Sequence, residues 1–282
     1  MSALLNFFHA LGEYTFLQNA LIAGAMIGLI AGIIGAFSIL QGTALIGDAM
    51  SHAVLPGIAI AALMGIPYYW GAGVFGLLAA LVINFISEHT PLKTDAAIGL
   101  TFSTFFALGT IITTAGHSTT KLTNILFGNI LAVSSGDLIS SLVIGLIVIA
   151  VVTTFYRELY LTTFDRSYAQ AQGIHANLFR NILVVLITLV IIVALRAVGV
   201  ILVTALLITP AASARLVVKR FQPMIWLSSF FGLISAFVGL FLSYTFDWPS
   251  GPAIVVTGAV IFIISFLIHL VTRRRMHDQA NK

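Results

Sequence analysis

The chain has 282 residues, of which 60% are hydrophobic and 8% charged, with a formal net charge of +4 and no Cys. A soluble domain is about one quarter charged, so this chain lacks the polar residues to cover a water-facing surface. A soluble globular enzyme, a disordered chain and a disulfide scaffold are excluded together, and thiolate drops out as a metal ligand.

A helix crosses the hydrocarbon core with about 20 apolar residues. In chain order, the stretches that qualify are residues 17–40, 44–64, 69–87, 94–115, 138–156, 177–197, 198–218, 224–246 and 251–271. Breakers fall between them: Gly65-Ile66-Pro67, Thr90-Pro91, Ser134-Ser135-Gly136-Asp137, Gln222-Pro223 and Asp247-Trp248-Pro249. Between the sixth and seventh stretches, Arg196, Val198 and Gly199 leave almost no loop, so a count of eight competes with nine. The predicted fold is an all-α membrane protein, a polytopic bundle of 8–9 transmembrane helices in one domain over residues 1–282. Gly, Ala, Ser and Thr abound in the spans and allow close helix approach.

In such a chain basic residues report orientation, not nucleic-acid binding. With nine spans and a cytoplasmic C-terminus, the inner loops hold Lys93, Arg157, Arg166, Arg180, Arg215, Lys219, Arg220, Arg273, Arg274, Arg275 and Lys282. Only Lys121 and Arg196 stay outside. The expectation is therefore an outside N-terminus and an inside C-terminus. Residues 1–16 become an outside segment, 157–176 a cytoplasmic loop and 272–282 a cytoplasmic tail, with 116–137 the long outside connection. Residues 1–16 carry no Lys or Arg, unlike a secretory leader. They read as a short interfacial helix with Phe7, Phe8 and Leu11 towards lipid.

Familiar catalytic devices are missing. The sequence contains no G-x-x-x-x-G-K-[ST] phosphate loop, no H-E-x-x-H pair and no G-x-S-x-G elbow. Glu13, Glu88, Glu158 and Asp278 fall in flanks and tails and read as solvated. Asp95 and Asp137 stand at helix starts, where a carboxylate caps the helix or complements its dipole. Asp247 sits in a turn. His9, His89, His117, His175 and His277 read as solvated, and His269 as interfacial.

Asp48 does not sort that way. It lies inside the second span, in Gly47-Asp48-Ala49-Met50-Ser51-His52-Ala53-Val54-Leu55-Pro56-Gly57. The four-residue step to His52 sets carboxylate and imidazole on one helix face, a turn apart. Pro56 removes a backbone hydrogen bond and, with Gly57, opens the helix beside that face. Carboxylate with imidazole suits manganese, iron or zinc better than calcium or magnesium. Two readings stand: a metal- or proton-handling pair, and a buried Asp–His contact that fixes packing. Two ligands are too few for a site, so Asn84 is a candidate third ligand, or a two-fold copy supplies a second pair.

In the cytoplasmic loop, Phe164-Asp165-Arg166-Ser167-Tyr168-Ala169-Gln170-Ala171-Gln172-Gly173-Ile174 reads as a short amphipathic helix stopped by Gly173. Its pattern of Asp165, Ala169, Gly173 and Ile174 resembles the loop by which permeases of ATP-binding-cassette importers dock on their ATPase. Residues 47–57, this helix and residues 198–215, which include Thr209-Pro210-Ala211-Ala212-Ser213, together resemble the permeases of manganese, zinc and iron importers, the manganese branch most. The resemblance implies a fold similar to the vitamin B12-type importers and a homodimer in the bacterial cytoplasmic membrane. It implies two cytoplasmic ATPase subunits that bind the ATP, and an extracellular metal-binding protein that delivers the ion. Asp48 and His52 would be the intramembrane metal residues and residues 165–174 the docking helix. No cofactor would be held permanently, and the metal would be cargo. The competing functions are a proton-coupled secondary metal transporter, a passive channel and a membrane scaffold.

Overall fold

A helix that is apolar on every side belongs in the middle of a bundle. That is the place taken by α2 (Thr15–Leu40), which packs against α12, α11, α7, α10 and α1 in a computed structural model of the chain. The structure describes residues 2–116 and 130–280, so Lys121 and His117 of the predicted outside loop lie outside the described residues. In order, the helices are α1 (Ser2–Glu13), α2, α3 (Leu45–Ala53), α4 (Leu55–Met64), α5 (Tyr68–His89) and α6 (Thr94–Ala115). After a 3-10 turn (Ile130–Ala132) come α7 (Ser135–Thr154), α8 (Tyr156–Phe164), α9 (Arg166–Ala171), α10 (Ala176–Val198), α11 (Val200–Val217), α12 (Phe221–Phe246) and α13 (Ser250–Ala280). Every regular element among the described residues is helical.

Among the described residues eight segments are long and apolar enough to cross a membrane, counting α3 and α4 together as Leu45–Met64, and α11 is a shorter apolar helix. Gly199, with φ +77°, divides α10 from α11. The connection decides how α11 runs. Helix α10 starts directly after α9, and α12 starts at Phe221, whose ring meets Tyr160 and Phe164 of α8 at 5.6 and 5.7 Å. Both starts therefore lie at the α9 end of the bundle, and α11 must cross to join them. Its 18 residues span about 27 Å at 1.5 Å per residue, so α11 adds a ninth pass through the bundle of the described residues.

Small residues set the spacing. Gly28 faces Gly232, and Gly32 faces Ser228 and Ser229, so closely that a Cβ on either glycine would collide with the backbone of α12. Ser228 Oγ donates to the Gly32 carbonyl at 2.8 Å across the same seam. Helix ends follow local chemistry. Ser134 and Asp137 form a capping box on α7, as Asp137 was expected to do. Helix α6 is preceded by Lys93 with no side-chain cap bond, so Asp95 serves the dipole only. Asp247 takes a left-handed conformation, φ 55°, at the end of α12.

One expectation fails at the N-terminus. Phe7 does not face lipid: it is fully buried, with ring centroids 6.1, 5.4 and 5.6 Å from Phe237, Phe241 and Tyr244 of α12. Phe8 beside it is exposed. The aromatic surface of α12 offered Phe7 more contact than an apolar interface would, and nothing near residue 7 in the sequence announces a partner so far along the chain.

Candidate metal site

Asp48 and His52 share one face of α3. Ile46, Gly47, Ala49, Met50, Ser51 and Ala53 are buried and hold the helix in the bundle. The opposite stripe of Leu45, Asp48 and His52 is left towards the open side. Oδ1 of Asp48 stands 3.8 Å from Nε2 of His52, and the two side chains are 52% and 19% exposed. Helix α6 frames the imidazole: Phe102 and Phe106 meet it edge-on at 5.2 and 5.4 Å. Helix α11 flanks the other side, with Leu207 against Gly47.

This geometry bears on chemistry in two ways. A charged carboxylate facing hydrocarbon costs about 2.5–3.5 kcal/mol even on the mildest scale, so the Asp48 face needs water, an ion or protein against it. The second observation is His52 Nδ1, which is buried and has no hydrogen-bond partner. A packing-only histidine would be expected to satisfy that nitrogen. The pair offers one oxygen and one nitrogen donor, a borderline set that fits a divalent transition metal. Among the described residues no group of three or more His, Asp or Glu comes together.

Asn84 is on α5, and its Oδ1 is buried without a partner. No hydrogen bond joins it to Asp48 or His52 among the described residues. Thr101 of α6, a turn from Phe105, is likewise buried with its hydroxyl unpartnered. The sequence reading missed Phe102, Phe106 and Thr101. Their only local sign was helical spacing on α6, and the contact with α3 is a matter of tertiary structure.

Pro56 and Gly57 begin α4, and the break falls at Val54, which keeps near-helical dihedrals. Val54 N–H still reaches the Met50 carbonyl at 3.3 Å, so the disturbance at Pro56 is a mild break between α3 and α4. Gly57 lies backbone to backbone with Gly71 of α5. Close packing of α4 on α5 is therefore what the structure gives Gly57.

Residues 165–174 form the short helix foreseen for them. Asp165 Oδ1 accepts from Tyr168 N–H at 2.9 Å and caps α9. The helix closes with Gly173 N–H to Gln170 O and Ile174 N–H to Ala169 O, both 3.0 Å, with Gly173 at φ +78°. This is the paired closure that a left-handed glycine permits. Ala169 is fully buried, while Arg166, Ser167, Tyr168 and Gln170 are exposed. The segment is also tied to its neighbours. Arg166 donates to Asn177 of α10, and Arg180 lies within electrostatic reach of Arg166 and Glu88. Gln41 after α2 donates to Thr163 at 3.1 Å.

Known proteins resemble this chain along nearly its whole length. The chain is 47% identical over 261 residues to the manganese transport system membrane protein MntC of Listeria monocytogenes, covering 93% of each. It is 47% identical to the manganese import system permease protein ScaB of Streptococcus gordonii, over 93% of this chain and 94% of that one. Among solved structures, PsaBC from Streptococcus pneumoniae in complex with Fab superposes with a TM-score of 0.84 at 44% identity, covering 93% of this chain and 95% of that chain. The ABC 3 transport family profile matches residues 13–269, which take in the Asp48–His52 pair, α9 and the long apolar helices up to the last turns of α13, and the chain belongs to that family.

Proposed function

We propose that this chain is the permease subunit of an ATP-driven importer that carries manganese across the bacterial cytoplasmic membrane, with zinc and iron as the alternative cargoes. The observation that carries the reading is the Asp48–His52 pair on the one polar stripe of α3, in a chain whose relatives are named for manganese transport. The ion passes this stripe, where the carboxylate and imidazole replace part of its water shell. Two donors do not complete a coordination sphere. Water, Asn84 or the same pair from a second copy of the chain supplies the remainder, and a homodimer with α3 facing its axis would cover the half-exposed carboxylate.

ATP binding and hydrolysis take place in two cytoplasmic partner subunits that dock on α9 through its Asp165–Ile174 segment. Docking at that segment biases the bundle between outward and inward access, which requires the two states to differ in their contacts with the partner. An extracellular metal-binding protein delivers the ion. The N-terminus lies outside and the C-terminus inside, as the distribution of Lys and Arg favours. The test is cellular metal content by mass spectrometry in a strain lacking its own manganese uptake, with and without the ATPase and the binding protein. Manganese accumulation that needs both partners and Asp48 is the expected result. Accumulation by the chain alone would replace this reading with a proton-coupled transporter.

A further inference from the structure

Among the described residues, one face of the α2–α12 pair is only half covered. At the end away from α9, α1 lies over it and buries Phe7. Towards the α9 end, α7 and α12 both pack on α2 and leave a groove of 730 Å³ between them. It runs from Leu29 to Ile33 on α2, from Ile149 to Tyr156 along α7 and α8, and from Gln222 to Leu233 on α12. The eleven steps from Gln222 to Leu233 cover about 16 Å at 1.5 Å per residue, half of a hydrocarbon core about 30 Å thick. The groove is thus about as long as one leaflet is deep.

Its walls are mostly apolar, with Tyr156 and Gln222 at the α9 end and only Thr153 and Ser229 as polar residues further in. The Thr153 hydroxyl is bonded to Ile149 O at 2.7 Å and the Ser229 hydroxyl to Ile225 O at 3.0 Å. Its mouth is different. Arg157 follows Tyr156, Lys219 and Arg220 precede Gln222, and all three are exposed. Arg215 joins them by donating to the Lys219 carbonyl at 3.2 Å, and Glu158 is the one carboxylate on these stretches. A basic cluster at the mouth of an apolar groove complements a negative headgroup.

We propose that this groove is a lipid site: it holds an acyl chain of an anionic phospholipid whose headgroup is bound by Arg157, Lys219 and Arg220. A second copy of the chain fits elsewhere, because the polar stripe that needs a partner is on α3. That helix packs on α5, α6, α10 and α11, away from α7 and α12. The site is placed by α8 and α9, whichever way the chain is inserted, and does not depend on the cargo. With the orientation proposed above, the lipid belongs to the cytoplasmic leaflet.

Trp226 lines the groove and reports on it directly. With Trp70 and Trp248 changed to Phe, the full chain is placed in nanodiscs of phosphatidylcholine, and Trp226 fluorescence is titrated with acyl-brominated phosphatidylglycerol or acyl-brominated phosphatidylcholine. Phosphatidylglycerol should quench at a mole fraction lower by about fivefold or more. The Arg157→Gln/Arg220→Gln double variant should lose that preference while keeping full quenching at saturation. Should the double variant fail to fold, Lys219→Gln reads the same preference with a smaller loss. Equal quenching by both lipids in the unaltered mouth, or an undiminished preference in a folded variant, overturns the headgroup site. No quenching by either lipid overturns the proposal altogether, since protein would then cover the groove.

Discussion

The α2–α12 seam and the α3 stripe are both helical, both within the membrane-crossing region, and built on opposite terms. Along the seam, Gly28 meets Gly232 and Gly32 meets Ser228 and Ser229, with backbone against backbone and the one cross-helix hydroxyl satisfied. On the stripe, a carboxylate is half-exposed and a buried imidazole nitrogen has no partner. Lipid tails are as apolar as leucine, so helices in a membrane gain from close van der Waals contact and not from hydrophobic burial. The seam takes that gain in full. The stripe forgoes it and retains polar groups that only an ion, water or another protein can satisfy, which is the arrangement expected where a frame supports a working surface.

The comparison breaks most sharply at the seam. Gly232→Leu has no space, because the neighbour is the Gly28 backbone and cannot rotate away. Overpacking costs about 1–3 kcal/mol, and this position should sit at the top of that range, read as a large fall in the thermal midpoint of the purified chain. If Gly232→Leu melts like the unaltered protein, the seam is not the rigid element. On the stripe the expectation is reversed. Asp48→Asn and His52→Ala should leave the thermal midpoint nearly unchanged and reduce manganese uptake by roughly tenfold or more, since even outer-shell changes at metal sites cost about 10–100-fold. Normal uptake by both variants would remove the stripe from the transport path.

Two smaller effects sharpen the picture. Gly173→Ala places a side chain at φ +78°, a cost of about 1–2 kcal/mol borne by a six-residue helix. The helix should fray, and co-purification of the ATPase should weaken, while Gly173→Asn, which tolerates the left-handed region, should retain most of it. Equal co-purification by Gly173→Ala and the unaltered chain would sever α9 from docking. The least effect is expected for Ser228→Ala, which removes the bond to the Gly32 carbonyl. Interhelical hydrogen bonds in membranes average about 0.6 kcal/mol, so the thermal midpoint should fall slightly and uptake should persist. A loss as large as that of Gly232→Leu would mean that the hydrogen bond, not glycine packing, holds the seam.

Much of this was legible in the sequence. Apolar runs near 20 residues placed the span ends to within about three residues, except that the last helix continues to Ala280 through the stretch read as a tail. The left-handed Gly173 and the Asp165 cap are local chemistry, and the short helix followed from them. Asp48 stood out because a carboxylate in an apolar run is costly wherever the run folds. The miss at Phe7 has the opposite cause. Its burial depends on Phe237, Phe241 and Tyr244, more than 200 residues away, and an amphipathic helix at a chain end looks the same whether its apolar face meets lipid or protein. Gly57, read from the sequence as part of a helix opening, meets the Gly71 backbone for the same reason: a glycine does not reveal whether it bends its own helix or admits another.

The sequence by itself determined that this is a helical membrane chain, roughly where its long apolar helices lie, and that Asp48 and His52 share one face, because hydrophobic length, capping and the four-residue helical step are local properties. Only the tertiary structure decided whether α11 crosses, which glycines touch, that Phe102 and Phe106 frame His52, and that α2, α7 and α12 leave a groove. Those features depend on which helix faces meet, and in an apolar chain most faces look alike until they are packed.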